Sequence, residues 1–125
     1  METANFINVD LELSSDNDLS LIASELKGRV FILDEGFTGS EFSLRFECSL
    51  NETQPEPVLK EFIKLIRTLS DEAMALLGST TQKIVDIGFD SGNQYQFTTR
   101  ISNAVLNELS SLGFEIVITI YPITE

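Results

Sequence analysis

The sequence predicts one α+β domain over residues 1–125, a two-layer sandwich in which helices cover one face of a mixed or antiparallel sheet. Strand-like and helix-like hydrophobic periods alternate along the chain, separated by Gly, Pro, Ser or Asn residues. Apolar residues make up 42% of the chain and charged residues 22%, which is ordinary for a globular protein. A chain of this length can fold without a metal or a disulfide.

The first strand and the first helix follow from a change of hydrophobic period. From Ile7 to Leu13, apolar and polar residues alternate, which predicts a strand with Ile7 on the core side and one wet face. Residues 14–18 are polar and offer several N-caps. Apolar residues at helical spacing follow until Gly28, so we expect a short helix there.

A β-hairpin is predicted next. Residues 29–33 form an apolar run after one base, and residues 34–39 contain two glycines, which indicates a turn. From Phe42 to Leu50, apolar side chains again occupy every second position. The two strands are therefore expected to pair with each other.

The longest helix is predicted between residues 53 and 78. Thr53 and Glu56 have the spacing of a capping box, and Pro55 fits the first turn of a helix. Apolar residues then recur at helical spacing up to Gly78. A second helix start near Ser70 indicates a break.

The remaining chain predicts further strands and one helix. Residues 85–89 indicate a strand, residues 90–93 a turn and residues 94–98 a short strand. Ser102 is the expected N-cap of a helix that ends before the last strand, residues 114–121.

These elements are strands at residues 7–13, 29–33, 42–50, 85–89 and 114–121, the short piece and three helices. The first six have the strand-helix-strand-strand-helix-strand order of a ferredoxin-like fold. Residues 85–93 resemble residues 9–17 in sequence, and this similarity is consistent with a second strand-helix-strand unit at the end of the chain.

Charge and composition exclude several function classes. The chain has 20 Asp and Glu against 8 Lys and Arg, a net charge of −12 and no histidine. An acidic surface repels nucleic acid and anionic membranes, and histidine is the side chain most used for proton transfer near neutral pH. The first residues do not resemble a signal peptide, and no apolar run reaches the roughly 20 residues of a membrane helix. We expect a cytoplasmic protein that binds neither nucleic acid nor membrane.

The sequence contains no motif for a cofactor or a metal, and none is predicted. Cys48, the sole cysteine, lies on the apolar side of its strand and has no histidine to activate it, so it is expected in the core. Residues 16–18 resemble the start of a calcium loop, but Leu21 and Lys27 stand where that loop needs glycine and glutamate.

Carboxylates are the remaining candidates for chemistry. The outward sides of the predicted strands carry Asp10, Glu12, Glu47 and Asp86. Two or three carboxylates a few ångströms apart are enough for a hydrolase, including a magnesium-dependent one. A wet sheet face, however, carries polar residues for folding alone. A carboxylate-based hydrolase is therefore the second hypothesis for function.

Three bases form one stripe on the predicted long helix. Lys60, Lys64 and Arg67 lie at positions i, i+4 and i+7, and Glu56 stands four residues before Lys60 in the favourable order. The stripe is either a solvated face stabilised by local pairs or a surface that meets an acidic protein, including a second copy of this chain.

The outward face of the sheet is the other candidate surface. It is predicted to gather the polar residues Asn8, Asp10, Glu12, Ser43, Arg45, Glu47, Ser49, Asp86, Glu115, Thr119 and Tyr121, with the apolar residues Ile84 and Val117. Arg45 and Tyr121 are residue types that interfaces favour. We predict a non-enzymatic protein-binding module that acts through this acidic face or by self-association as a homodimer. A nuclease-like toxin neutralised by an acidic immunity protein would be one basic partner.

The layout of the chain from about residue 5 to residue 122 resembles a family of small bacterial proteins, domain of unknown function 4279. The resemblance rests on the opening strand into residues 15–19, the turn into residues 42–44, and the ending from residues 101–103 to residues 120–122. Family members usually carry a tryptophan near the position of Phe42, and this sequence has none. The resemblance implies no activity, cofactor or catalytic residue.

Overall fold

A computed structural model describes residues 5–48, 50–92 and 97–122 of the chain. Over these residues the chain is an α+β protein, as predicted, with five strands and four helices. In chain order the elements are β1 Asn5–Ser15, α1 Ser20–Leu26, β2 Val30–Phe37, β3 Phe42–Cys48, α2 Pro55–Ile66, α3 Asp71–Gly78, β4 Gln82–Asp90, α4 Asn103–Ser111 and β5 Glu115–Tyr121.

The strands form one open, mixed sheet in the order β2-β3-β1-β4-β5. β1 pairs antiparallel with both β3 and β4, β2 pairs antiparallel with β3, and β4 pairs parallel with β5. The predicted hairpin of β2 and β3 is therefore confirmed. The five strands correspond to the stretches predicted at residues 7–13, 29–33, 42–50, 85–89 and 114–121.

The core combines one face of the sheet with the buried sides of the helices. Val9 and Leu11 of β1 are at most 2% exposed, and Leu59 and Phe62 of α2 are fully buried. The rings of Phe62 and of Phe46 in β3 pack in a T-shaped arrangement, with 5.9 Å between the ring centroids. The apolar side chains that alternate along the strands and those that recur every 3.6 residues along the helices thus pack in one cluster.

The predicted break in the long helix is confirmed. α2 ends at Ile66, and α3 follows Ser70, whose Oγ accepts the N–H of Ala73 at 3.1 Å. Ser102 is also the predicted N-cap of α4, and its Oγ accepts the N–H of Val105 at 3.3 Å. The break divides the predicted long helix into α2 and α3, which accounts for the fourth helix.

The predicted capping box at the start of α2 is wrong. Gln54 is the N-cap, and its side chain makes no cap hydrogen bond. The Glu56 carboxylate instead accepts the backbone N–H of Ser102, at the start of α4. Glu56 therefore stabilises the start of a helix that is distant in sequence, and local residue spacing does not reveal this contact. At the start of α1, Asp18 from the predicted polar cluster accepts the N–H of Ser20 at 2.8 Å.

Two predicted details of the strands are also wrong. Ile7 does not lie on the core side, because the register with β4 shifts between Phe6 and Asn8. Ile7 is the extra residue of this β-bulge and is 45% exposed. The turn predicted at residues 34–39 is shorter, because β2 continues to Phe37 and pairs with β3 on both sides of a register shift between Ile32 and Asp34.

The rest of the predicted order is matched in part. Residues 94–96 of the predicted short strand and Asn93 of the predicted turn lie outside the described residues, and Phe97 and Thr98 belong to no strand. The sequence similarity between residues 9–17 and residues 85–93 is not accompanied by the same strand pairing. β3 lies between β1 and β2, whereas β4 and β5 are neighbours.

Candidate functional site on the polar face of the sheet

The second face of the sheet is polar because its residues alternate with core residues along the central strands. In β1, Asn8, Asp10 and Glu12 are half-buried, and the residues between them are buried. Arg45 of β3 and Asp86 of β4 likewise lie between buried neighbours. The burial of one face thus fixes which side chains form the other.

Strand register brings the predicted residues of this face together. Asp10 is directly opposite Asp86 on β4, and Glu12 is directly opposite Arg45 on β3. Opposite charges at facing positions stabilise a sheet, whereas like charges destabilise it. The face therefore contains one favourable pair beside one unfavourable pair.

Asn8 joins two carboxylates from neighbouring strands. Its Nδ2 donates to Asp10 Oδ1 at 3.3 Å and to Glu47 Oε2 at 3.2 Å. One amide group therefore holds Asp10 and Glu47 close to each other. The sequence pattern places Asn8 on this face but does not indicate this role, because the role depends on the register of β1 with β3.

Asp10 has a perturbed acidity. Burial raises the pKa of Asp10 from 3.8 to about 6; the charge of Glu47, a hydrogen bond with Glu47 and the charge of Asp86 add to the rise, and Arg45 opposes it. Desolvation and nearby like charges both favour the neutral acid. We refer to Asp10, Glu47 and Asp86 as the carboxylate cluster. Near pH 6 this cluster gains or loses one negative charge.

Side chains from β5 complete the face beside Asp86. Thr119 Oγ1 donates to Asp86 Oδ1 at 2.8 Å. Gly88 of β4 leaves space above the sheet: a Cβ there would lie 2.9 Å from Asn8 Oδ1 and 3.5 Å from the Tyr121 ring. The absence of a side chain at Gly88 therefore lets Asn8 and Tyr121 approach the strand closely.

Apolar side chains border the polar face. Phe31 of β2 is opposite Glu47 and is 57% exposed, and Val117 of β5 is paired with Asp86 and is 38% exposed. The sequence prediction missed Phe31, because the continuous apolar run of residues 29–33 shows no alternation that would assign it a face. Ser49, also predicted for this face, lies outside the described residues.

The cleft that borders the polar face is small. A cleft of about 170 Å³ opens beside Asn8 and Glu47, below the roughly 300–1,000 Å³ of most small-molecule sites. A larger apolar groove of about 390 Å³ is lined by Phe89, Phe97 and Ile120, among others. Phe89 points to the core side of β4, so this groove lies away from the carboxylate cluster.

Within residues 5–48, 50–92 and 97–122, no three Asp, Glu or Cys side chains are grouped so that they could hold a metal ion. Cys48 is buried, as predicted. Burial also raises the pKa of its thiol, which keeps the sulfur in its less reactive protonated form.

The basic stripe of the long helix is not part of this face. Lys60 Nζ lies 3.9 Å from Glu56 Oε2, one turn earlier in α2. Arg67 forms an ion pair with Glu108 of α4. Lys64 is exposed. Two of the three bases therefore have acidic partners within the chain, which favours the interpretation as a solvated face with local pairs.

Comparison with known proteins leaves function to be inferred from the polar face itself. The chain matches no protein-family model, no curated protein and no solved structure. None of the helices in the described part of the chain is long and apolar enough to cross a membrane.

Proposed function

We propose that this protein is a non-enzymatic binding module whose polar sheet face docks on a basic surface of another protein. The observation that supports this is the pKa of about 6 for Asp10 within the carboxylate cluster. Three carboxylates crowd one part of the face, and Arg45 only partly compensates them. A Lys or Arg side chain of a partner would supply the missing charge and favour the ionised form of Asp10.

The surroundings of the cluster also support a protein partner. The cleft beside Asn8 and Glu47 is small, whereas Phe31 and Tyr121 are large and about half exposed. Aromatic and Arg side chains are enriched where proteins meet, and charged groups fix the register and the association rate. A polar face with an aromatic border and a small cleft suits a protein surface better than a small substrate.

A nuclease-like toxin is one partner with the required chemistry. Proteins that act on nucleic acids present basic surfaces to phosphates, and an acidic protein can cover such a surface. An immunity-protein-like role in the cytoplasm would use the face in this way.

A hexaarginine peptide tests this recognition directly. We expect binding to lower the pKa of Asp10 below its value of about 6 and to shift the carboxyl signals of Asp10, Glu47 and Asp86 in a ¹³C NMR titration. The binding should be lost in about 0.5 M NaCl, because salt screens exposed charges. Peptide binding without change at these three carboxyls would contradict the proposal.

A matched pair of variants separates the contribution of the polar face to binding from that of net charge. Glu47→Gln/Asp86→Asn removes two charges from the cluster, and Asp16→Asn/Glu52→Gln removes two from exposed positions elsewhere. We expect the first variant to weaken peptide binding at least ten-fold and the second less than two-fold. Equal losses would mean that overall charge governs binding, and would overturn the assignment to this face.

A carboxylate-based hydrolase is the second candidate. The pairing of Asp10 with Glu47 favours it, because a carboxyl of raised pKa beside a second carboxylate can act as a general acid. Hydrolysis of p-nitrophenyl esters, phosphates and glycosides, with and without Mg²⁺, tests this candidate. Turnover that is lost in folded Asp10→Asn or Asp86→Asn would favour the hydrolase over the binding module.

We also infer a finer description of the fold. The order of β1 to β4 and their helices supports a ferredoxin-like layout of two layers, with β4, α4 and β5 as an added strand-helix-strand unit. The resemblance to domain of unknown function 4279 stays a prediction, and it adds no activity.

A further inference from the structure

β2 exposes apolar side chains along an edge of the sheet. Phe31 and Phe37 are each 57% exposed, Leu33 is 42% exposed and Ile32 is 37% exposed. Among the described residues, β2 forms its ladder with β3 alone and is the last strand on its side, with one isolated bridge between Val30 and Lys27 at its start. Its outer edge therefore presents backbone N–H and C=O groups beside apolar side chains.

The first half of this edge lacks the usual protection against strand pairing. Natural edge strands carry Lys or Pro, or bend away from a partner. Residues 30–33 are apolar without interruption. The register shift with β3 falls between Ile32 and Asp34, at the end of this run. Residues 30–32 thus pair regularly with β3, and beyond the bridge of Val30 to Lys27 their outer edge can receive another strand.

We propose that β2 pairs antiparallel with β2 of a second copy of this chain, about a two-fold axis at Phe31. This pairing places Phe31 beside Phe31 of the second copy and Val30 opposite Ile32. Each pair then lies on one side of the sheet, as strand pairing requires. Two five-stranded sheets join into one, and the inference does not depend on the proposed basic partner.

Charge along the strand favours a second copy as the occupant. Lys27 and Arg29 precede the apolar run, Asp34 and Glu35 follow it, and all four residues are exposed. Arg29 also donates to Thr68 and to the Glu25 carbonyl of its own chain, so Lys27 is the more available base for the acids of a second copy. Antiparallel pairing brings the basic end of each strand alongside the acidic half of the other, whereas parallel pairing places like charges together. The contact is self-complementary and therefore closes as a dimer.

The opposite edge strand, β5, of another copy is a poorer pairing partner for β2. β5 carries Glu115 as its one charged residue, so it offers no base to Asp34 and Glu35. Pairing of β2 with β5 of another copy would also be head-to-tail and would extend without limit.

Sedimentation equilibrium of the full chain tests the dimer. Phe31→Lys places a charge on β2, and Ile120→Lys places the same charge on β5, where Ile120 is 63% exposed. We expect the wild type and Ile120→Lys to dimerise, and Phe31→Lys to raise the dissociation constant at least ten-fold. A wild type that stays monomeric up to about 1 mM, or equal effects of the two substitutions, would overturn the proposal.

Disulfide cross-linking tests the register without a new charge. Directly opposed residues of an antiparallel pair have Cα atoms about 4.5–5.5 Å apart, within the range of a disulfide. Under mild oxidation, Phe31→Cys should form a covalent dimer, whereas Ile120→Cys should not. Cys48 is buried and should stay reduced. Absence of the Phe31→Cys cross-link, or equal cross-linking of both variants, would refute pairing at Phe31.

Charge reversal and salt separate this dimer from the proposed basic partner. Asp34→Lys/Glu35→Lys should dissociate the dimer although it makes the chain less negative, whereas Asp16→Lys/Glu72→Lys should not. The dimer should persist in about 0.5 M NaCl, where binding of hexaarginine is lost. A dimer that dissociates in salt and in Glu47→Gln/Asp86→Asn would belong to the polar face, and the proposal for β2 would fail.

Discussion

Asp10 is a residue whose charged form opposes folding. Burial and the neighbouring carboxylates raise its pKa from 3.8 to about 6, so the folded chain binds this proton more tightly than the unfolded chain does. The resulting stabilisation is fully present below pH 3.8 and is lost as the pH rises through about 6. At neutral pH the ionised Asp10 therefore lowers the free energy of unfolding.

Asp10→Asn should stabilise the protein at pH 7.5 and have little effect at pH 4.5. The amide keeps the shape of the side chain and removes the charge, so we expect a gain of about 1 kcal/mol at pH 7.5, a value reduced for solvent screening of a half-exposed group. Urea unfolding at both pH values measures it. Asp16→Asn, at an exposed position, is the control, and an equal gain at both pH values would contradict this origin.

Gly88→Ala should destabilise the fold because of Asn8. Alanine in a strand ordinarily gains stability over glycine, but the new Cβ would lie 2.9 Å from Asn8 Oδ1. We expect a loss of about 1 kcal/mol from this overpacking. In the Asn8→Ala background the same substitution should be neutral or stabilising, as measured by urea unfolding in a double-mutant cycle. A cost that is independent of Asn8 would disprove this account.

At the scale of elements, carboxylates connect helices that are distant in sequence. Glu25 of α1 accepts the backbone N–H of Ser70 at 2.8 Å and its hydroxyl at 2.6 Å, and Glu56 of α2 accepts the N–H of Ser102. These hydrogen bonds lower the pKa of both glutamates. The starts of α3 and α4 are thereby held by α1 and α2.

Ser70→Ala should therefore lower the stability more than the same substitution of a helical serine elsewhere. The hydroxyl both caps α3 and donates to Glu25, and loss of an N-cap costs about 1 kcal/mol. Ser110→Ala, at an exposed position of α4, should change the stability by less than about 0.5 kcal/mol. Thermal or urea unfolding compares the two variants, and equal costs would show that neither the cap nor the link to α1 stabilises the fold.

At the scale of the whole molecule, the perturbed carboxyls predict the most stable fold at mildly acidic pH. Glu25 and Glu56 have a lowered pKa, so their contribution is lost as the pH falls below 4.5. Asp10 acts in the opposite sense, and its contribution is lost as the pH rises to about 6. We expect the urea midpoint to be highest between these two values. A maximum above pH 7 would contradict this balance, and Asp10→Asn should flatten the decline on the alkaline side.

Much of the fold was predictable wherever one face of an element is buried. Alternation predicted which residues of β1, β3 and β4 form the polar face, and capping chemistry predicted the helix starts at Ser70 and Ser102. The prediction failed where structure depends on distant partners. The bulge at Ile7 is set by pairing with β4, and Glu56 caps a helix that begins more than 40 residues later.

The sequence by itself determined the alternating strands, the helices and the polar character of one sheet face. A strand or helix that buries one side in a core needs apolar residues at its own period, and that period is visible in neighbouring residues. Only the tertiary structure decided that Asp10 meets Glu47 and Asp86, and that β2 lies at an edge with Phe31 exposed. Strand order and register join residues that are far apart in the chain, and no local period records them. The carboxylate cluster and the exposed edge both arise from that non-local pairing.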